Sequence, residues 1–247
     1  MLSDYAVYLM KAGRVDESLA ILKELNKSLP QEYQIAANLG TAYELNGELD
    51  SALFYIKRGI EINPDAHAGS EWIHIQVLET KMKQIKNPDF LDFTSVLELS
   101  LEQKKDSATR AQLEIQIRER FPFSPGPDQI MASLMIDLAD CYTNSLSIEH
   151  AKAFYNIAEL YCGADSTLTT PKIYEMIELR KKYKDISTSD AIVDGSNHKV
   201  TGVPYKTIID NNNWKNYIIN WTEFNLDSDA LLAEVDYSLD KSVIAEE

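Results

Sequence analysis

Residues 38–64 read NLGTAYELNGELDSALFYIKRGIEINP, and this stretch decides the fold of the 247-residue chain. Its apolar residues recur at helical spacing on both sides of Gly47, a residue that readily adopts the left-handed conformation of a tight turn. Pro64 ends the second apolar series, because proline cannot continue a helical hydrogen-bond ladder. The stretch therefore predicts a helical hairpin, with helices over about residues 34–46 and 50–62.

Small side chains mark the place where the two helices of this hairpin cross. Gly40, Ala52 and Gly59 lack the bulk that would hold the helices apart, so close packing of one helix against the other is expected there. Larger residues at helical spacing are predicted to fill the space between the helices, namely Leu39, Tyr43, Leu49, Ile56 and Ile60.

The same hairpin pattern recurs with a period of 34 residues, since Gly13 and Gly47 are 34 apart and so are Pro30 and Pro64. This period and these residues resemble the helix-turn-helix signature of the tetratricopeptide repeat (TPR) superfamily. The resemblance implies a solenoid of stacked hairpins that presents a surface to another molecule. In the first copy the matching residues are Ala6, Leu9, Gly13, Val15, Leu22 and Pro30.

A third, more diverged copy is predicted over residues 132–165, at an offset of 99 residues from the best repeat. Leu146 stands where the turn glycine would be. Because 99 is close to three periods, residues 67–131 are expected to hold about two degenerate units. The residues that carry the third match are Leu138, Ala139, Tyr142, Ala151, Tyr155 and Ala158.

The degenerate middle departs from the repeat pattern. A helix is predicted from His67 to about Lys86, and His74 takes a position where the other repeats have a small residue. Asn87-Pro88 interrupts the next helix, because the residue before a proline is biased away from helical conformation. Residues 90–101 are compatible with either an extended segment or a short helix.

Two later helices carry their own start signals. Residues 107–121 are predicted as a helix that Asp106 caps. Thr170-Pro171 predicts the start of a terminal helix, because a capping residue followed by proline suits a first turn.

The predicted organisation is an all-α, TPR-like helical-hairpin solenoid over residues 1–184, a flexible linker over 185–204 and a C-terminal extension over 205–247. The extension combines an amphipathic segment with an acidic tail, and the segment is expected to pack on the array or to mediate self-association. Its aromatic stripe consists of Trp214, Tyr217, Ile218, Trp221 and Phe224.

Charge and composition exclude several classes of partner. The formal net charge is -15, and the residues from Thr222 onward contain eight acids and one base. Nucleic acids and anionic membranes are unfavourable partners, because binding to them depends on Lys and Arg. The sequence contains no run of about 18 apolar residues, so no transmembrane helix is predicted.

The cellular compartment and the oxidation state of the cysteines are also predicted from the sequence. The start lacks a secretory signal, so the chain as written is expected in the cytoplasm, or in the periplasm or outside the cell if a targeting segment has been removed. Cys141 and Cys162 are too few for a disulfide scaffold and are expected to be reduced core residues.

His67, Glu71 and His74 form the sharpest candidate for catalytic chemistry. On a continuous helix, spacings of 0, +4 and +7 bring an imidazole, a carboxylate and a second imidazole to one face, as in transition-metal sites. A fourth ligand and a separate base are not evident. The favoured interpretation is that Glu71 lines a groove, His74 packs against a neighbour and His67 caps the helix, with no metal or cofactor.

Two pairs of acidic residues are candidate calcium ligands. Asp137 with Asp140, and Asp227 with Asp229, lack the glycine and the closing glutamate of a calcium loop. They are expected to be solvated acids.

The TPR resemblance implies a concave groove that binds a partner. In chaperone-binding members a carboxylate clamp of Lys, Asn and Arg holds a peptide C-terminus, but here Asn38 alone matches, and Ser3, Val7, Ala68 and Trp72 occupy the other clamp positions. The groove is instead mixed polar and apolar, which suits an extended or helical peptide. Its predicted lining residues are Gln34, Ala37, Asn38, Thr41, Glu44, Leu45, Glu71 and Ile75.

The sequence therefore predicts a non-enzymatic protein-interaction module or assembly scaffold with a protein or peptide partner. Two alternatives remain open. One is a metal-dependent enzyme that uses His67, Glu71 and His74, and the other is an inhibitor or immunity protein whose acidic tail mimics nucleic acid.

Overall fold

The computed structural model describes residues 2–90, 95–124, 126–145 and 147–187, and within them every regular element is a helix. The predicted all-α fold is confirmed. Within the same ranges, no helix combines the length and the apolar character required to span a bilayer. The helices are α1 (Leu2–Lys11), α2 (Val15–Ser28), α3 (Tyr33–Leu45), α4 (Leu49–Ile62), α5 (Glu71–Lys86), α6 (Leu101–Lys105), α7 (Ser107–Arg120), α8 (Gln129–Asn144), α9 (Ile148–Leu160) and α10 (Ser166–Ser187), with 3₁₀ turns at Ala66–Gly69 and Phe121–Phe123.

Helices α1 to α4 form the two predicted hairpins. Gly13 and Gly47 both adopt positive φ, at 75° and 81°, in the turns between the paired helices. The residue after each glycine closes the same hydrogen bond, from Arg14 to the Leu9 carbonyl at 2.8 Å and from Glu48 to the Tyr43 carbonyl at 2.9 Å. The 34-residue repeat of the sequence is therefore a repeat of the structure.

The crossing of α3 and α4 is as close as the glycines predict. A Cβ atom on Gly40 would lie 2.6 Å from the Cγ1 atom of Ile56, which is too close for real atoms. A Cβ atom on Gly59 would lie 3.4 Å from the Tyr33 ring, at an ordinary contact distance. Gly40 is thus required by packing, whereas Gly59 is not.

The middle of the chain differs from the prediction of two degenerate repeats. In its described part there are two long helices, α5 and α7, and the short α6, whereas two helical hairpins would need four long helices. Asn87 ends α5 in an extended conformation, and Pro88 prevents the helix from continuing. Residues 95–100 are not helical, so α5 packs against α7 after a long connection.

The predicted helix from His67 is also wrong at its start, because α5 begins at Glu71. His67 and Ala68 have φ values of 50° and 55°, and Gly69 has a φ of 70°. Three consecutive residues in the left-handed region cannot belong to a right-handed helix. The helix that Asp106 caps is confirmed as α7, with the Asp106 carboxylate accepting from the Ala108 and Thr109 backbone N–H groups.

The helices α8 and α9 form a hairpin over most of the region predicted as the third repeat. The terminal helix, however, begins at Ser166 rather than at Thr170-Pro171. Asp165 accepts from the Thr167 backbone N–H at 2.8 Å and so supplies an earlier cap. Pro171 is accommodated in the second turn, and α10 reaches Ser187, three residues into the segment predicted as a linker.

Two apolar cores hold these helices together. The N-terminal core is built from α1 to α4, and the C-terminal core from α7 to α10. Helix α5 contributes to both, with Leu78 in the first core and Ile73 and Val77 in the second. Cys141 and Cys162 are free and buried, as predicted for core residues.

Most of the C-terminal predictions lie outside the described residues. They concern the linker from residue 188 onward, the aromatic stripe from Trp214 to Phe224, the pair Asp227 and Asp229, and the acidic tail. Leu146 also lies outside the described ranges.

Candidate functional site

A cavity of about 280 Å³ lies where α1, α3 and α5 meet the end of α7. Seven of the eight residues predicted to line the groove line this cavity: Gln34, Ala37, Asn38, Thr41, Glu44, Leu45 and Glu71. Ile75 is not among them, because its side chain packs against the N-terminal core instead.

The cavity has a second wall that the sequence did not reveal. Gln116, Glu119 and Arg120 of α7 line it, together with Phe123 of the following 3₁₀ turn. Phe123 packs against the N-terminal core, and its turn contacts α1. The end of α7 therefore forms a second wall of the cavity, so the site is narrower than the open groove that the TPR resemblance implies.

Helix α7 is held in this position by polar contacts to the start of α5. Gln116 donates to the Ser70 hydroxyl at 3.0 Å, and the Trp72 indole donates to Gln112 at 2.8 Å. Gln112 in turn donates to the Ala68 carbonyl at 2.9 Å. The left-handed residues before α5 thus serve as a docking point for α7.

Glu44 is the centre of a buried ion-pair network on the cavity wall. Its carboxylate contacts Arg120 Nη1, Lys81 Nζ and His74 Nε2, each at 2.7 Å. Burial acts to raise the pKa of Glu44, but Arg120, His74 and Lys81 outweigh it and hold the pKa well below its ordinary value. The network joins α3, α5 and α7 through one ionised carboxylate.

Glu71 is a second buried carboxylate on the same cavity, and one of its two oxygen atoms lacks a hydrogen-bond donor in the described part of the chain. Its Oε1 atom accepts from the Tyr33 hydroxyl at 2.6 Å and lies 3.0 Å from His67 Nδ1. Its Oε2 atom is buried without a hydrogen-bond partner in the described part of the chain, and His74 Nδ1 lies 3.6 Å from it. Burial acts to raise the pKa of Glu71, but hydrogen bonds led by that of His67 lower it. Glu71 is therefore ionised.

The Glu71 carboxylate acts to raise the pKa of both His67 and Tyr33. The hydrogen bond to Glu71 is the main cause that raises the pKa of His67, which favours its cationic form. Burial, followed by the hydrogen bond to Glu71, raises the pKa of the Tyr33 hydroxyl, which stays protonated. Both groups act as donors to Glu71.

The structure brings His67, Glu71 and His74 together, but not in the geometry of a metal site. His74 Nε2 is bonded to Glu44, and His67 Nδ1 faces Glu71, so the imidazole nitrogens point at carboxylates instead of converging on one point. Among the described residues, no group of three or more His, Cys, Asp or Glu side chains has an arrangement that holds a metal ion.

Asn38, the one residue that matches the carboxylate clamp, is engaged within the chain. Its amide donates to the Ser3 hydroxyl at 2.8 Å. Val7, which occupies another clamp position, contributes an apolar surface to the cavity. An intrachain hydrogen bond and an apolar side chain thus occupy clamp positions in this chain.

The expectation that Asp137 and Asp140 are solvated acids is wrong. Asp137 is 2% exposed, and burial raises its pKa to about 7. Asp140 is paired with Lys104 at 2.6 Å and with Lys172, and it accepts from the Tyr155 hydroxyl at 2.6 Å. The two acids lie one helical turn apart on α8, which packs against α6 and α9, and Lys172 of α10 reaches Asp140. They are paired or buried beside the C-terminal core rather than solvated.

Comparison with known proteins agrees with the N-terminal architecture. Residues 9–70 match the family model described as tetratricopeptide repeat. Neither the curated proteins nor the solved structures gave a significant match. TPR domains generally mediate protein–protein interactions and are generally not enzymes. The hairpins of α1 to α4, with their shared glycine turns and their 34-residue period, are tetratricopeptide repeats.

Proposed function

We propose that this protein is a non-enzymatic protein-interaction module, and that its partner anchors a side chain in the cavity between α1, α3, α5 and α7. The observation that supports this proposal is the convergence of seven predicted groove residues on one cavity.

The size of the cavity favours an anchoring side chain over a whole bound peptide. A volume of about 280 Å³ is at the lower end for a drug-sized ligand. The end of α7 narrows the surface along which an extended backbone would lie in an open groove. Interfaces concentrate much of their binding energy in a few side chains that fill pockets, and this cavity has the size for one such contact.

The alternatives have less support. The imidazoles of the candidate metal set are directed at Glu44 and Glu71, which leaves no nitrogen lone pairs converging on a shared ligand position. The acidic inhibitor rests on the tail from Thr222, which lies outside the described residues. A protein or peptide partner, without nucleic acid and without a cofactor, is the proposal that fits the site.

The test is a selection of displayed random peptides on the purified full-length chain. Ala37→Phe places a ring in the cavity, and Lys57→Phe places the same ring on the exposed surface of α4 as a matched control. Peptides that bind the unmodified chain are expected to bind Lys57→Phe equally and to lose at least about tenfold in affinity for Ala37→Phe.

Both variants must first show the helical circular dichroism spectrum and the cooperative melt of the parent chain. Peptides that bind Ala37→Phe as well as they bind the parent would show that the cavity is not the binding site.

A further inference from the structure

We infer that the side chain this cavity accepts is cationic, a lysine or arginine of the partner whose charged head reaches the Glu71 carboxylate and whose aliphatic stem lies along the apolar wall. This inference rests on the proposed function and specifies the chemistry of the partner.

The first observation is the incomplete pairing of Glu71. Its side chain is 7% exposed, and its Oε2 atom has no hydrogen bond from the described residues. A buried carboxylate oxygen without a donor carries an uncompensated desolvation cost. A cationic donor placed beside Glu71 would remove that cost.

The second observation is the uneven distribution of charge around the cavity. Both strongly basic side chains of the lining, Lys81 and Arg120, contact Glu44. Glu71 contacts His67 and the neutral Tyr33 hydroxyl, and His74 Nδ1 lies 3.6 Å from its Oε2 atom. Of the two buried carboxylates in the lining, Glu71 is thus the one without a lysine or arginine partner among the described residues.

The third observation is the charge of the outer lining. Asp4 and Glu119 are exposed acids on opposite walls of the cavity, one on α1 and one on α7. They attract a cation and disfavour an acidic side chain, as does the net charge of -15 on the whole chain.

The fourth observation is the apolar surface between these acids. Val7, Ala37 and Phe123 line the same cavity. Lysine and arginine carry an aliphatic stem that packs on apolar surface while the head stays in a polar environment. An apolar side chain of equal length would cover the wall but offer no donor to the Oε2 atom of Glu71.

The experiment uses four small probes on the isotope-labelled full chain: the N-acetyl amides of lysine, arginine, norleucine and glutamate. Norleucine has an unbranched apolar stem close in size to that of lysine and lacks the charge. We expect lysine or arginine to shift the amide resonances of cavity residues saturably in NMR titrations, and norleucine and glutamate to bind at least about tenfold more weakly.

Two charge-removing variants locate the contact. Glu71→Gln is expected to weaken the binding of the cationic probe about tenfold or more, and Glu61→Gln, which removes a carboxylate from the exposed surface of α4, is expected to leave it unchanged. If Glu71→Gln fails to fold, Glu119→Gln on the outer lining replaces it, with an expected loss of about twofold or more.

The outcomes separate this inference from the proposed function. Norleucine binding as tightly as lysine, or lysine binding unaffected by Glu71→Gln, overturns the cationic anchor. If the selected peptides then still depend on Ala37 but carry apolar anchors, the proposed function stands and this inference falls. If no selected peptide depends on Ala37, the proposed function falls as well.

Discussion

Gly40 and Gly59 show at the scale of single residues how the same amino acid has two different roles in one hairpin. Both occupy positions where the sequence predicts close packing of helices. The structure separates them, because a Cβ atom on Gly40 meets Ile56 at 2.6 Å and one on Gly59 meets the Tyr33 ring at 3.4 Å.

Gly40→Ala is therefore expected to destabilise the chain and Gly59→Ala is not. Overpacking at Gly40 costs about 1 to 3 kcal/mol, whereas alanine at Gly59 gains up to about 1 kcal/mol from helix propensity. Urea unfolding of the two variants beside the parent chain measures both values. A Gly40→Ala variant as stable as the parent would contradict the close crossing of α3 and α4.

From the burial of Asp137 we predict that the free energy of unfolding depends on pH, which the sequence alone does not indicate. Burial, opposed in part by Lys104 and Lys172 and reinforced by Asp140, raises its pKa to about 7, from an ordinary value of 3.8. Between pH 3.8 and about pH 7, Asp137 is therefore protonated in the folded chain and ionised in the unfolded chain. This contribution to stability is complete below pH 3.8 and is lost as the pH rises through 7, by at most about 1.4 kcal/mol per pH unit.

Asp137→Asn is expected to remove this pH dependence, because asparagine stays neutral. The variant should be more stable than the parent chain at pH 8, and the difference should shrink towards pH 4. Urea unfolding across this pH range measures the difference, with Asp89→Asn as an exposed control that leaves the profile unchanged. A variant that is less stable than the parent at pH 8 would show that Asp137 is ionised and usefully paired.

At the scale of elements, the repeat helices were predictable and the contacts of α7 were not. Helices α3 and α4 begin and end within one residue of their predicted bounds, because glycine, proline and apolar periodicity are local signals. The start of α5 was misplaced, although Gly69 signals a break there. The packing of α7 over the cavity depends on contacts such as Arg120 with Glu44, 76 residues apart in sequence, and no local pattern indicates them.

The Glu44 network is expected to fix α7 on the repeats. Glu44→Gln removes the charge that Arg120, Lys81 and His74 share, and breaking a buried ion pair at one partner typically costs about 3 to 5 kcal/mol. We expect a lower urea midpoint for Glu44→Gln and an unchanged one for Glu61→Gln. Hydrogen exchange should also become faster in α7 before it does so in α3 and α4. Equal stability of the two variants would show that the network does not hold α7.

At the scale of the whole molecule, α5 makes the two cores dependent on each other. Leu78 belongs to the N-terminal core, while Ile73 and Val77 on the same helix belong to the C-terminal core. In a simple solenoid each unit contacts its neighbours alone, but here one helix is shared between two cores.

Leu78→Ala is expected to cost about 2 to 5 kcal/mol, as is usual for a fully buried leucine. Because α5 belongs to both cores, the destabilisation should extend to the C-terminal core, so that amide exchange becomes faster in α8 as well as in α3. Leu29→Ala, at an exposed leucine, is the matched control. Faster exchange confined to α1 to α4 would show that the two cores unfold independently.

The position of α7 has a consequence for how the cavity is completed during folding. The two repeats close through contacts between residues near in sequence, whereas the α7 wall lies more than 70 residues from the α3 residues that it faces. Such distant contacts form late because they carry the larger loop-closure cost. A growing chain that has completed α4 therefore already contains its repeats but has only one side of the cavity, and the docking of α7 supplies the other.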